Sequence, residues 1–471
     1  MPDEGAVVGK STSLPLLLAC GAAFLALLDV TVVNLAIPDL ITSYPGVTVA
    51  DASWVITIYA TVFAALLAPA GRIADVIGRR ALFMTGVGVF TAMSLLDALA
   101  PNLAVLLVGR GLQAVGAAAM IPASLAIVLH DTSAARRGAA IGAWSAAGAL
   151  AAALGPALGG ILVDAFGWRS VFVINLPLGV LIVLGAVVLP AGRSAGGRLP
   201  DLIGTTLLAG AVGLAVLGVT EGGDWGWGDL RTIACLAGAV AAGALTVWRS
   251  LRHPVPTIEI ALWRNRGLAV ANLASLLYGG ALFAWMLCSV LYLTEIWHYR
   301  ELQAGLAMSP TAVLTAVVAL LTGRFIHRLG LRAAVILGAL VMAAGAGLFA
   351  LWAPGTPHFA SFFLPAAAIG AVGIGVITTG VSTAAALSVQ PQRFAAATGL
   401  NQTARQIGGA LGIAILAAVL AGQAATDLTA YRDVFGFCAL LAVLAGVVGV
   451  FLVTPSRPQP APAQPVSKTA V

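Results

Sequence analysis

Two ionisable residues, Asp29 and Arg110, lie within long apolar stretches of this 471-residue sequence. A charge at the centre of a membrane helix costs about 2.5–3.5 kcal/mol on insertion scales, so such residues are expected to have a function. Counting along the stretches at about 1.5 Å per residue puts Asp29 roughly 12 Å and Arg110 roughly 10 Å from one membrane surface. At equal depth, the two side chains can neutralise each other or compete for a proton. The alternative is a static ion pair that only fixes helix packing.

Polar residues near this pair extend the candidate proton-coupling site. Gln113 lies one helical turn from Arg110, and three further side chains, Asn34, Thr31 and Thr57, are predicted to supply hydrogen bonds. We therefore assign proton coupling to Asp29, Arg110 and Gln113.

A candidate substrate cavity is formed by Asn34, Trp54, Tyr59 and Arg405. Aromatic rings near a helix end also occur in the interfacial belt, which is the favoured interpretation for Trp54, whereas a cavity is favoured for Tyr59. Arg405 can bind an anionic group or extend towards the inner surface, and the sequence does not separate these two roles. Asp97, at the outer end of the third stretch, is interpreted as solvated rather than as a second proton site.

All these residues require an all-helical membrane protein to position them. The chain is 60% hydrophobic and only 9% charged, against about 25% charged in soluble domains, so a soluble or disordered protein is excluded. A helix that spans a membrane needs about 20 apolar residues, and barrel strands would be about half as long. The predicted spans are 14–37, 53–71, 81–99, 103–130, 138–163, 168–190, 201–220, 231–248, 268–293, 303–323, 333–352, 360–386, 398–421 and 433–453.

The distribution of basic residues predicts the orientation. With both termini in the cytoplasm, 18 of the 24 Lys and Arg residues fall in inner segments, as the positive-inside rule requires. Nucleic-acid binding is not expected, because no basic cluster carries base-stacking aromatics. The predicted parts are a cytoplasmic N-terminus (1–13), a six-helix bundle (14–190), two inserted helices with a cytoplasmic linker (191–267), a second six-helix bundle (268–453) and a disordered cytoplasmic tail (454–471).

A short internal repeat supports the division into two halves. The loop GRIADVIGRR at 71–80 follows the second span, and GRFIHRLGLR at 323–332 follows the tenth. Both therefore follow the second helix of a six-helix group, as expected for a duplicated transporter fold. The signal rests on this loop and on the number of spans.

The fifth span is dense in small residues, with Gly155, Pro156, Gly159 and Gly160 close together. Glycine lets helix backbones approach and proline removes a helical hydrogen bond, so this span is predicted to form a sliding or hinge surface between the halves. Ordinary small-residue packing is the alternative, because the chain contains 55 glycines.

Several motifs together resemble one family. They are LDVTVVNLAIP at 28–38, the loop at 71–80, RGLQAVGAA at 110–118, GPALGG at 155–160, WRSVFVINLPLG at 168–179 and GLNQTARQIGGALG at 399–412. Over nearly its whole length the chain resembles the fourteen-span drug:proton antiporters of the major facilitator superfamily, the EmrB/QacA group. The resemblance implies the fold of that superfamily, with two six-helix halves and two inserted helices.

The resemblance also implies roles for residues. In the family, the loop at 71–80 gates the cytoplasmic side, which assigns this role to Gly71, Asp75, Gly78, Arg79 and Arg80. The motif with Arg110 and Gln113 is associated with proton coupling, and the motif at 155–160 is similar to that of exporters. In the second-half loop His327 replaces the acid, which argues against a latch at that position.

The resulting expectation is a proton-coupled exporter of amphipathic drugs or antibiotics that works by alternating access. The exporter should need no cofactor and bind no metal. It should act as a monomer in a bacterial inner membrane. Its partners should be small amphipathic substrates, protons and the lipid bilayer. An uptake symporter on the same fold and a non-transporting membrane sensor are the rival interpretations. An enzyme is not expected, because the sequence offers no catalytic constellation.

Overall fold

The protein is all-helical, and long apolar helices make up most of the chain. A computed structural model describes residues 13–47, 49–189, 201–256, 264–420 and 427–452. Within these ranges 14 helices are long and apolar enough to cross a membrane, the number predicted from the sequence. Their principal helices are α1 Ser13–Val33, α2 Val49–Ile77, α3 Arg79–Ala98, α4 Leu103–Asp131, α5 Arg137–Phe166, α6 Asn175–Val187, α7 Leu202–Thr220, α8 Leu230–Ser250, α9 Arg266–Leu291, α10 Glu301–Leu329, α11 Leu331–Trp352, α12 Leu364–Leu387, α13 Phe394–Leu420 and α14 Leu428–Gly449. The sixth span reaches its full length of 18 residues only with the turn that precedes α6, from Ser170.

Two segments expected at the ends of the chain fall almost entirely outside this description. The predicted N-terminus (1–13) contributes only Ser13, the first residue of α1, and the predicted tail (454–471) lies outside the described residues. The assignment of both termini to the cytoplasm therefore stays a prediction.

Several helices extend beyond their predicted bounds. α1 continues through the 3₁₀ turn Asn34–Ala36 into the short helix Ile37–Ser43, and the short helix Ser170–Val173 precedes α6. The segment predicted as a loop at 71–80 is mostly helical, because α2 runs to Ile77 and α3 begins at Arg79. Polar residues between two apolar stretches predict a loop, but a helix leaving the membrane can carry them on its solvated face.

Only Gly78 separates α2 from α3. Its φ of 107° lies in a region that side chains rarely adopt, so glycine is required for the sharp reversal between the helices. Gly330 occupies the same position between α10 and α11, with a φ of 81°. The two turns match in conformation as well as in sequence, which supports the predicted internal repeat.

The halves α1–α6 and α9–α14 meet mainly through two pairs of helices, α5 with α10 and α2 with α13, and also where α4 contacts α13 and α5 contacts α12. Close backbone contacts in both main pairs lie at the helix ends that the predicted orientation places in the cytoplasm. A Cβ on Gly71 would lie 2.3 Å from the carbonyl oxygen of Ala395, and one on Gly323 would lie 2.7 Å from the Cα of Gly142. Backbones this close leave no room for side chains, so the two halves are closed against each other at this end of the helices.

The inserted helices α7 and α8 pack against each other, and α7 also packs against the two halves. Val212 and Val216 of α7 form a small apolar cluster with Ala64 and Ala65 of α2. Ile407 of α13 packs against the same cluster. α7 therefore lies over the line where α2 and α13 meet.

Candidate functional site

A buried ion pair joins α1 to α4, as the depth calculation predicted. Nη1 of Arg110 donates to Oδ2 of Asp29 over 2.6 Å and to Oε1 of Gln113 over 2.5 Å. Nε2 of Gln113 in turn donates to Oδ1 of Asp29 over 3.1 Å. None of the three side chains is more than 1% exposed. Burying a charge is tolerable only when it is paired and hydrogen-bonded, and this arrangement meets that requirement.

Two residues that the sequence analysis did not select complete the site. Asn175, the first residue of α6, donates to Oδ1 of Asp29 over 2.8 Å. Ser94 of α3 accepts hydrogen bonds from Gln113 at 2.7 Å and from Asn175 at 3.3 Å. Asn175 lies within the motif at 168–179, which was the available signal. The site, called the Asp29 cluster below, therefore joins four helices of the first half.

Arg110 has further contacts that do not depend on Asp29. Its Nε donates to the carbonyl oxygen of Val55 over 3.1 Å. Its guanidinium carbon lies 4.3 Å from the ring centroid of Tyr59 and 5.7 Å from that of Phe172, within the range of cation–π attraction. The structure therefore places Tyr59, predicted in the substrate cavity, against Arg110.

The predicted hydrogen bonds from Thr31 and Asn34 to this site are not formed. Thr31 donates to the carbonyl oxygens of Leu27 and Leu28 in its own helix. Asn34 is exposed, and its amide donates to the carbonyl oxygen of Val30. Serine, threonine and asparagine in helices often bond to a carbonyl of the preceding turn in this way.

Asp97 is fully buried, so the expectation that it is solvated at the outer surface is wrong. The physical reason is a cover of polar contacts over the outer end of α3. Tyr44 donates to the carbonyl oxygen of Ala100 over 2.8 Å, and Arg169 donates to the same oxygen over 3.1 Å. The end of a hydrophobic stretch is thus not the end of the protein interior.

A second polar site joins the two halves near the close contact of Gly71 with Ala395. Oδ2 of Asp75 accepts a hydrogen bond of 2.9 Å from the backbone N–H of Ala396, in the first turn of α13. A carboxylate is favourable there because unpaired N–H groups make the start of a helix positive. Arg79 donates to Oδ1 of Asp75 over 3.2 Å and also to the carbonyl oxygen of Pro391. Asp75 and Arg79 therefore connect α2 and α3 to the second half.

The other predicted gate residues divide into two groups. Gly71 lies at the close contact with Ala395 between the halves. Arg80 instead donates to the carbonyl oxygens of Ala186 and Val187, at the end of α6 in its own half. Positive charge stabilises the end of a helix, so Arg80 fixes the first half rather than joining the two. His327 is exposed.

The glycines of α5 face two different neighbours. A Cβ on Gly155 would lie 1.9 Å from Oγ1 of Thr31, and a Cβ on Gly159 would lie 3.2 Å from the Cα of Val32, so both pack against α1 of the same half. Gly160 faces Leu302 of α10. Pro156 lies within α5. The predicted surface between the halves therefore includes Gly160, whereas Gly155 and Gly159 lie inside the first half.

The described contacts do not join the four predicted cavity residues into one pocket. Asn34 is exposed, Trp54 and Arg405 are half-buried, and Tyr59 is buried in the Asp29 cluster. Arg405 lies on α13 close enough to Tyr278 of α9 for an electrostatic interaction.

An uncharged polar group lies one turn before Arg405 on α13. Nδ2 of Asn401 donates to Oγ of Ser275 over 2.7 Å and to Oδ1 of Asn272 over 3.2 Å. All three side chains are buried. The interior of the second half thus contains hydrogen-bonding groups. Of its acids in the sequence, Glu295, Glu301 and Asp427 lie at or beyond helix ends, and Asp433 lies in the second turn of α14.

Comparison with known proteins identifies the group to which this architecture belongs. The sequence model of the Major Facilitator Superfamily matches residues 19–413 and 268–470. In fold, the chain is similar to the human organic anion transporter MFSD10 (TETRAN), with a TM-score of 0.69, 17% sequence identity, and coverage of 94% of this chain and 100% of the transporter.

Bacterial relatives are closer in sequence. The multidrug resistance protein Stp of Mycobacterium tuberculosis is 33% identical over 90% of this chain and 78% of its own length. The cephamycin export protein CmcT of Amycolatopsis lactamdurans is 32% identical, over 94% of this chain and 92% of its own. The puromycin resistance protein pur8 of Streptomyces alboniger is 33% identical, over 92% and 88% respectively. The chain is thus a multi-pass membrane protein that belongs to the major facilitator superfamily and is related to its bacterial drug-resistance and export proteins.

Proposed function

We propose that the chain exports amphipathic drugs or antibiotics from the cytoplasm in exchange for protons, by alternating access between its two halves. The relatives named as resistance and export proteins support the direction and the type of cargo. The observation that carries proton coupling is the buried ion pair of Asp29 and Arg110, at 2.6 Å. An ionisable pair in the membrane interior is a typical element of proton relays.

The contacts of Arg110 support a switch between two states. While Asp29 is ionised, Arg110 neutralises it. When Asp29 binds a proton, the guanidinium loses its counter-charge but keeps the carbonyl oxygen of Val55, the side chain of Gln113 and the ring of Tyr59. The cation therefore keeps partners in both states, which lowers the cost of breaking the pair.

A path of packed side chains leads from Asp29 towards the second half. Thr31 follows Asp29 on α1 by two residues and lies against Gly155 of α5. On another face, α5 contacts α10, where Oγ of Ser309 donates to the carbonyl oxygen of Ala153 over 3.1 Å. A shift of α1 on protonation would therefore press on the helix that contacts the other half. Tight packing makes such a shift a discrete step.

The closed cytoplasmic side supports a role for Asp75 and Arg79 as a latch. The cargo enters from the cytoplasm in this proposal, so the hydrogen bond from Ala396 to Asp75 must break during each cycle. Because Asp75 and Arg79 also bond to each other, neither charge is left without a partner when the halves separate.

Neutral, zwitterionic or singly charged amphipathic compounds fit the second half best. Its interior offers amide and hydroxyl groups near Asn401 and a cation at Arg405, without an acid that would favour dications. Arg405→Gln is expected to weaken export of anionic compounds more than that of neutral ones. Equal losses for both would argue that Arg405 does not contact the cargo.

The proposal is tested in everted membrane vesicles with an imposed pH gradient. Antibiotics, dyes and biocides are added to vesicles that contain the wild-type chain, Asp29→Asn or the control Asp164→Asn. Asp164 is an exposed acid on α5 outside the cluster. We expect one or more compounds to collapse the gradient in wild type and Asp164→Asn but not in Asp29→Asn, with equal amounts of folded protein in the membrane.

Each other outcome changes the proposal in a defined way. Collapse in all three chains would retain antiport but remove Asp29 from proton exchange. No response to any compound would contradict proton-coupled drug export. Proton entry driven by a compound moving into the cell would identify an uptake symporter instead.

A further inference from the structure

Asp97 is a buried acid outside the proposed proton exchange at Asp29. Its side chain lies on α3 and is 0% exposed, and neither carboxylate oxygen is hydrogen-bonded to any described residue. An ionised carboxylate in this position would bear the cost of desolvation without a hydrogen bond to offset it. A neutral carboxylic acid avoids most of that cost.

The surroundings of Asp97 tie it to the Asp29 cluster. Its Oδ1 lies where a Cβ on Gly109 would be only 2.0 Å away, so the carboxyl group is packed against the backbone of α4 beside Arg110. On α3, Ser94 lies one turn below Asp97 and accepts the hydrogen bonds from Gln113 and Asn175. Asp97 thus lies between the outer end of α3 and the cluster.

The charged groups near Asp97 favour a shared proton. Arg110 of α4 attracts its carboxylate and Asp29 of α1 repels it. Arg169, ahead of α6, is bonded to the carbonyl oxygen of Ala100, and the titratable Tyr44 donates to the same oxygen. With Arg110 paired to Asp29, a second negative charge at Asp97 would have no counter-charge of its own.

We propose that Asp97 is a second proton-binding site, which holds a proton while Asp29 is paired with Arg110 and releases it when Asp29 binds a proton. In that step the O–H bond of Asp97 breaks, an O–H bond forms on Asp29, and Arg110 exchanges one carboxylate for the other. The net charge of the three groups stays at zero throughout. This inference rests on the proposed proton exchange at Asp29, and such a pair of acids titrates as one coupled unit.

The position of Asp97 gives the site a direction. It ends α3 on the outer side, beneath the cover formed by Tyr44 and Arg169, whereas Asp29 lies deeper in the bundle. A proton arriving from outside would therefore reach Asp97 first and Asp29 second. In the proposed export cycle, the proton concentration is highest on that side.

The first test measures the protonation of Asp97 directly by infrared spectroscopy of the full chain in lipid at neutral pH. The difference between wild type and Asp97→Asn should contain the carbonyl band of a protonated carboxylic acid, and the difference between wild type and Asp164→Asn should not. Gly109→Ala provides a second variant, which keeps the acid but displaces its carboxyl group. The spectrum of this variant should also lack the carbonyl band of the protonated Asp97. A carboxylate signal in the Asp97→Asn difference would overturn the proposal.

The second test examines the shared arginine. In Asp29→Asn, Arg110 is free to pair with Asp97, so Asp97 should ionise and its acid band should disappear at neutral pH. If the band persists in Asp29→Asn, the two acids do not share Arg110 and the relay is wrong. A failure of the proposed proton-coupled export would be seen in a different experiment. Drugs would then cause no proton movement in wild-type vesicles, while the infrared bands of Asp97 stayed as expected.

Discussion

Removing the charge of Asp75 should open the cytoplasmic side of the transporter. The carboxylate accepts a hydrogen bond from the backbone N–H of Ala396 in the other half. A charge-assisted hydrogen bond contributes about 1.5–3 kcal/mol, and favourable charge at a helix start adds about 0.3–1 kcal/mol. In Asp75→Asn, a neutral hydrogen bond would retain about 1 kcal/mol of this. The closed state should therefore lose about 2 kcal/mol, which raises the ratio of open to closed molecules about thirtyfold.

The assay is a distance distribution between two spin labels on the cytoplasmic ends of the halves. Exposed positions for the labels are Arg136, just ahead of α5, and His327, near the end of α10. The free cysteines are replaced beforehand so that only these positions are labelled. Asp75→Asn should shift the distribution towards the longer distance, which marks the open state.

Arg80→Gln is the matched control, because Arg80 lies five residues away and, among the described residues, its side chain bonds to α6 of its own half. It should leave the ratio of open to closed molecules unchanged. A distribution for Asp75→Asn identical to wild type, or an equal shift in Arg80→Gln, would refute the assignment of the latch to the contact between Asp75 and α13.

Two further predictions concern packing and pH. Gly155→Ala places a Cβ 1.9 Å from Oγ1 of Thr31, so overpacking should destabilise the fold by about 1–3 kcal/mol and lower the thermal unfolding temperature. The control Gly88→Ala should not lower it, because a Cβ there has nothing within 4 Å. Equal unfolding temperatures for both variants would contradict this packing. Side-chain hydrogen bonds from Arg249 hold the pKa of Asp201 below its ordinary value. Asp201 therefore stabilises the fold above the unfolded pKa, about 3.9, and loses that effect as pH falls through its own lower pKa. Asp201→Asn should be less stable than wild type at neutral pH and equal to it in strong acid, and a difference that grows with acidity would show the opposite linkage.

The sequence predicted the ion pair at the centre of the site but not its surroundings. Asp29 and Arg110 could be matched because helical rise is regular, so position along a span gives depth. Ser94 and Asn175 could not be selected, since depth does not show which face of a helix meets which neighbour. Their contribution depends on how α3 and α6 are rotated about their axes, which is decided by packing across the whole bundle.

The same limit explains the errors at Asp97 and Gly155. Asp97 ends a hydrophobic stretch, and only the folding of residues near Tyr44 and Arg169 over that end makes it buried. Gly155 belongs to a glycine-rich helix that contacts both halves, and the sequence does not say which glycine faces which side. The number of spans and the division into halves depend on hydrophobicity and length alone, which is why they were predictable.

The position of α7 over the line between α2 and α13 affects how hydrophobic compounds in the bilayer approach the junction of the halves. A compound dissolved in the lipid near this line meets α7 before it meets the junction of the halves, because Val212 and Val216 of α7 are packed against α2 there. The main contacts of α7 with the halves are to α2 and α13 rather than to α5 and α10. The two main junctions between the halves therefore differ in how they are covered from the surrounding lipid, although the halves are repeats of one another.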